Sequence, residues 1–190
     1  FENCIYNNIS QNFGYDNNWQ GIVLEYGSNH NYLFNNTVSA NNNGIWLSSS
    51  NYNVLNNNTA VSNSHQGIYL INSNSSSLSY NKVSNNSQFG IFIEDSQWNN
   101  ITYNNVSYNV DSGIVLSEAF NNNLANNILL YNKNSSMVIV NSGENIIIEN
   151  RVMYTEALGV YLENVNNTNL IYNTINLNGI VKGGIGDHSG

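Results

Sequence analysis

The chain of 190 residues carries a net charge of −8, with four lysines and arginines in all, 41% hydrophobic and 8% charged residues. So few cations cannot neutralise a phosphate backbone, which argues against nucleic-acid binding, and apolar runs such as Ile146 to Ile148 fall far short of the ~20 residues of a membrane-spanning helix. Asparagine makes up about a quarter of the chain and proline is absent; with helix formers scarce and Asn, Ser, Gly, Ile, Val and Tyr abundant, the composition points to strands joined by turns.

The chain opens at Phe1, inside what reads as a strand, without a start methionine or signal pattern, so a fragment or processed form is expected. Cys4 has no partner for an internal disulfide and reads as a buried, inert thiol. At Gly21 comes the tetrad GIVL, which returns at the same interval at Gly44 (GIWL), Gly67 (GIYL), Gly90 (GIFI), Gly113 (GIVL), Ser136 (SMVI) and Gly159 (GVYL). Such a fixed period, here ~23 residues, is the mark of a solenoid. In each repeat the tetrad is followed by a small residue (Cys4, Gly27, Ser50, Ser73, Ser96, Ala119, Ser142, then Val165), and by a polar column of Asn7, His30, Asn53, Ser76, Asn99, Asn122, Asn145 and Thr168. Next comes an unbroken asparagine column, Asn12, Asn35, Asn58, Asn81, Asn104, Asn127, Asn150 and Asn173; a further amide column, from Asn17 to Asn178, is interrupted by Ala40 and Thr155.

Between these polar positions run apolar ones with the period of strands, through Ile22, Ile45 and Ile68, through Leu24, Leu47 and Leu70, through Leu55, Leu78 and Ile101, and through Val83, Val106 and Leu129. Three short apolar stretches per repeat, each closed by a small or amide residue, wind three strands around one core. The expected fold is therefore all-β: a right-handed, single-stranded parallel β-helix of three sheets, with about seven to eight 23-residue coils over residues 1–181 and an irregular Gly-rich tail at 182–190. The asparagine columns are expected to form ladders, each amide bonded to its equivalent one coil away.

The tetrad, the small residue at the bend and the spaced asparagines, as in GIYLINSNSSSLSYNKVSNN from Gly67 to Asn86, resemble the repeats of NosD-like and other carbohydrate-binding or sugar-hydrolysing β-helix proteins. The resemblance covers essentially residues 1 to 181. It implies a secreted or cell-surface polypeptide, on a fold that also houses pectate lyases, polygalacturonases and alginate epimerases. A NosD-like protein further implies copper, which calls for grouped His, Cys or Met. Here His30, His65 and His188 fall in different columns and coils, Cys4 sits in a bend, and Met137 and Met153 replace aliphatics, so no copper site is expected.

Among carboxylates, Glu94, Asp95 and Glu118 are placed near one another by stacking and could hold calcium, the one cofactor the sequence suggests; Asp111 joins them only if the coil closes tightly. No basic residue falls in these columns to serve a lyase, and Arg151 lies coils away between Glu149 and Glu156. Trp46, Tyr69 and Phe92 occupy the outward position of successive tetrads, with Tyr161 farther along the same face and Glu25, Glu94 and Glu163 beside it, a candidate carbohydrate-binding row. Asn-x-Ser/Thr sequons at Asn8, Asn57, Asn74, Asn85, Asn100, Asn105, Asn134 and Asn166 are glycosylation candidates, a ninth at Asn35 being assigned to the ladder.

These features favour a non-catalytic extracellular or cell-surface solenoid, structural or polysaccharide-binding. No long loop interrupts the uniform coils, as an active site usually would. The alternatives are a polysaccharide lyase, glycoside hydrolase or epimerase, and a filament or surface-layer subunit. The expected partners are polysaccharide, neighbouring surface-protein chains, or further copies of the chain joined through open coil ends.

Overall fold

The computed structural model describes residues 1–179 and, as backbone, Ile185–Asp187; His188 lies outside the described residues. The strands stack in three parallel sheets of eight. The tetrads form one sheet, Ile22–Glu25, Ile45–Ser48, Ile68–Ile71, Ile91–Glu94, Ile114–Ser117, Met137–Val140 and Val160–Glu163. Ile185–Asp187 pairs with the last of these, so part of the stretch expected to be an irregular tail is a strand. A second sheet runs from Asn8–Ser10 to Asn169–Ile171 and a third from Phe13–Tyr15 to Thr174–Asn176. Each strand pairs with its equivalent in the coils before and after, which makes the chain a parallel β-helix of about seven coils.

Along these strands the first and third residues are buried and the second is turned outward. Leu24, Leu47, Leu70, Ile93 and Leu116 are fully buried, facing Leu33, Leu55 and Leu78 from the second sheet and Val38, Val83 and Val106 from the third. Each such side chain stabilises the coil by about 1.5–3 kcal/mol.

The bends are built from a recurring pair. A residue with φ near +55°, such as Tyr80, Tyr103 or Asn126, is followed by an inward asparagine, Asn81, Asn104 or Asn127. The left-handed conformation costs a non-glycine residue roughly 1–2 kcal/mol, and the asparagine that follows offsets it. Asn104 Oδ1 accepts from both the backbone N and Nδ2 of Asn81, each at 2.9 Å. Its own Nδ2 donates to Asn127 Oδ1 at 3.0 Å and to the Leu78 carbonyl at 2.9 Å. Its backbone N–H, which the bend removes from the sheet, donates to Asn127 Oδ1 at 2.9 Å. One side chain thus satisfies the bend it occupies and the bend beneath it.

The ladders correct the sequence reading in one coil. The amide bonded to Asn12 and Asn58 is Asn36, not Asn35; Asn35 is the exposed residue at φ +54°. In the neighbouring columns Asn31 takes the place expected for His30, Asn41 that of Ala40, and Ser28 that of Gly27. Two compensating changes explain all four. This coil's first bend spans residues 26–31 where the next coil's spans 49–53, Gly27 at φ +82° taking up the extra residue, and its last bend spans 40–44 against 62–67. The insertion and deletion cancel within the coil, so the tetrads keep their spacing while everything between them moves by one.

The tetrad glycines are required by contact. A Cβ on Gly67, Gly90 or Gly159 would lie 2.6–2.7 Å from the Nδ2 of Asn86, Asn109 or Asn178, the inward amide of the same coil. At Ser136 the same-coil partner position holds Thr155, a shorter side chain than asparagine, and the two hydroxyls hydrogen-bond.

Two outcomes are expected in urea unfolding. Asn104→Leu and Asn36→Leu each lose ~1–3 kcal/mol from stranded buried partners, whereas Asn35→Leu loses less than about 1 kcal/mol; equal losses at Asn35 and Asn36 would contradict the register. Thr155→Asn is destabilising alone and is rescued by Ser136→Gly, with a coupling of ~1 kcal/mol or more in the double-mutant cycle.

Candidate functional site

The outward column of the tetrad sheet reads Val23, Trp46, Tyr69, Phe92, Val115, Val138 and Tyr161, held in register by strand pairing. Trp46 and Tyr69 stack with ring centroids 6.0 Å apart and planes 4° from parallel, and Tyr69 and Phe92 at 5.0 Å and 8°. Three of the four aromatics expected on this face are therefore contiguous. Tyr161 stands apart, beyond two valines. Because the rings are near-parallel, each covers part of its neighbour, and the row is half-buried.

One margin of the row is formed by the residues just before each tetrad. Gln66 Nε2 donates to Gln88 Oε1 at 2.8 Å, and Asn134 Nδ2 donates to Asp111 Oδ1 at 2.9 Å. Phe89 packs T-shaped on Phe92, with centroids 5.2 Å apart. Among the described residues, Trp46 Nε1 and His65 Nδ1 are buried without a hydrogen-bond partner. On the other margin Glu94 accepts a hydrogen bond from the Tyr69 hydroxyl. Burial, this hydrogen bond and the negative charges of Glu94 and Asp95 push the Tyr69 phenol well above the usual tyrosine range. Tyr69 is thus a fixed donor and a poor base. Tyr161 is likewise raised, chiefly by its hydrogen bond to Glu163.

Glu94, Asp95 and Glu118 do not form the metal group the sequence suggested. Among the described residues no three His, Cys, Asp or Glu side chains gather where they could hold an ion. Glu94 is drawn to Tyr69, in the coil before its own, whereas Asp95 and Glu118 are exposed residues of the left-handed bend, at φ +47° and +50°. Asp111 lies on the other margin of the sheet instead.

The sequon asparagines Asn8, Asn57, Asn85, Asn100, Asn105, Asn134 and Asn166 are exposed, as is Asn35. Asn74 is half-buried; its Oδ1 accepts from the Gln97 backbone and its N–H donates to Asn51 Oδ1, both at 2.7 Å.

Sequence reasoning missed a pit of about 450 Å³ on the tetrad sheet, where Val115 and Val138 form a low floor between Phe89 at one end and Tyr161 at the other, with Asp111, Ser112, Asn134 and Leu158 in its wall. The signal was present in the outward column, as two small residues following three aromatics.

Residues 1–138 match the model of the NosD family, described as periplasmic copper-binding protein. No curated protein matches the sequence. Among solved structures, the chain resembles the periplasmic alginate epimerase AlgG, at 18% identity and a TM-score of 0.70 over 92% of this chain and 48% of that one. It also resembles the A-module of the Azotobacter vinelandii mannuronan C-5 epimerase AlgE4, at 16% identity and 0.68 over 96% and 58%. A third similar structure is DFA-IIIase from Arthrobacter chlorophenolicus A6, at 12% identity and 0.60 over 90% and 50%. At these identities the likeness shows the fold alone, and the chain spans about half the length of these structures.

Because its folded pKa is raised, the Tyr69 contribution to stability is present below about pH 10 and is lost as pH rises beyond it. In an alkaline ultraviolet titration of the native protein, Tyr69→Phe is expected to leave the tyrosinate amplitude unchanged up to about pH 11. A loss of one tyrosine's amplitude would contradict the Tyr69–Glu94 geometry.

Proposed function

The chain belongs to the NosD family, and we propose that its solenoid is a non-catalytic module, working outside the cytoplasm, that holds polysaccharide along the outward face of the tetrad sheet. The observation that carries this reading is the contiguous Trp46–Tyr69–Phe92 row, flanked by the Gln66–Gln88 amides on one side and Glu94 on the other. An apolar strip bordered by donors and acceptors suits a sugar chain, which offers C–H surfaces and hydroxyls together. A location outside the cytoplasm is supported by the family's description and by the periplasmic AlgG.

The family's copper does not fit the residues described. Met137 is fully buried in the core, Met153 lies nearly buried against Arg151 Nε, and His30 is sandwiched between Tyr6 and Tyr52 at 5.1 and 4.9 Å. Cys4 lies at the first bend, bonded to the Glu2 carbonyl. Among the described residues no three His, Cys, Asp or Glu side chains gather to hold an ion, and no step is routed through copper. Nor does the similarity to epimerases supply a mechanism. A uronate-processing site needs a base and a cation for the sugar carboxylate; here the Tyr69 phenol is held protonated, Arg151 and Lys82 stand on the third sheet, and Lys133 is exposed outside the lining of the pit.

The experiment is retention of the purified chain on neutral and acidic polysaccharides, with and without calcium, with product release followed in the same samples. Retention without products is expected, weakened about 5- to 30-fold by Trp46→Ala or Tyr69→Ala, the range for truncating a buried aromatic contact. Product release abolished by Glu94→Ala would make the chain an enzyme. Absence of retention on every polymer would leave architecture, read out as concentration-dependent assembly.

A further inference from the structure

The aromatic column is interrupted once, at Val115 and Val138, and the interruption is the pit. Three coil steps separate Phe92 from Tyr161, with only the two valines between them. At the usual spacing of parallel strands that is roughly 14 Å along the solenoid, room for a sugar ring. The pit's volume of about 450 Å³ is that of an ordinary small-molecule site.

We propose that this pit binds one uncharged pyranose unit of a glycan, a ligand class that deepens the polysaccharide reading and rests on it. The floor is apolar, which suits the C–H face of a sugar ring, whereas the wall is polar. There Asp111 Oδ1 accepts from Asn134 Nδ2 at 2.9 Å and from Ser112 Oγ at 3.3 Å, fixing the carboxylate. Among the described residues no protein donor reaches its Oδ2, which leaves that oxygen to accept from a ligand hydroxyl. Among the described residues Asp111 is the one charged residue lining the pit; Lys133, next to Asn134, is exposed and outside the lining. A half-buried anion facing a ligand carboxylate costs affinity, so uronates are disfavoured and neutral sugars accepted.

The test is saturation-transfer NMR and calorimetry with methyl α-glucoside, methyl α-mannoside, methyl α-fucoside and methyl glucuronide. At least one neutral glycoside is expected to bind, at least about tenfold more tightly than the glucuronide, a difference of ~1.4 kcal/mol. Val138→Phe extends the aromatic column into the pit at an outward position; it should keep the thermal midpoint and lose glycoside binding, while Trp46→Ala keeps glycoside binding and weakens polymer retention. Asp111→Asn should close the gap between neutral and charged glycosides, a readout that stands even if the filling variant misfolds. Wild-type glycoside binding by a folded Val138→Phe protein, equal affinity for the glucuronide, or no glycoside binding at all would overturn the pit as a sugar site. Polymer retention sensitive to Trp46→Ala would in each of those cases leave the polysaccharide reading standing.

Discussion

Every coil depends on a buried amide that closes its own bend and the one beneath. A parallel solenoid must leave the sheet three times per turn, and at each exit a backbone N–H loses its partner. An unpaired buried donor costs about 1–3 kcal/mol. The inward asparagines remove that cost, since each oxygen takes the stranded N–H and the side-chain N–H of the coil below, while each nitrogen donates upward and to a strand carbonyl. Leucine can fill the space but supplies none of these bonds. That explains how a chain can be rich in asparagine and still have a regular, closely packed core.

The ladder also dictates what the outside can be. The glycine column exists because the inward amide and a core methyl of the same coil, together with the next coil's backbone carbonyl, occupy the space where its Cβ would lie, and at Ser136 the amide is replaced by Thr155. With the glycine position pinned, the residue two places on points outward in every coil. Whatever the chain places there becomes a continuous stripe at strand spacing. Aromatics in three consecutive coils make the apolar row, and valines in the next two make the pit, so a surface of graded depth arises without any loop insertion.

Much of this was legible in the chain, and the parts that were not have physical causes. The tetrads revealed the period, the strand faces and the aromatic row, because burial alternates with a period of two and strand pairing preserves it. Asn36 was misread as Asn35 because an inserted and a deleted residue within one coil cancel between tetrads; the clue lay in His30 and Ala40, which made poor ladder members at the same offset. The acidic trio failed for a different reason. Stacking does set Asp95 and Glu118 at the same bend position of successive coils, but both are exposed there while Glu94 ends its strand and is drawn to Tyr69, so the three carboxylates do not converge. The pit was overlooked because small residues carry no chemistry of their own and acquire it only from Asp111 and Phe89, which reach the site from the preceding bends.

Native-state hydrogen exchange of the asparagine side-chain amides, followed by NMR, tests the ladder most directly. The account predicts that the Nδ2 protons of Asn36, Asn58, Asn81, Asn104 and Asn127 exchange only with opening of the coils, as slowly as the backbone amides of the tetrad strands, while those of exposed Asn35 exchange freely. Fast exchange at the inward positions, or protection of Asn35 in place of Asn36, would contradict it.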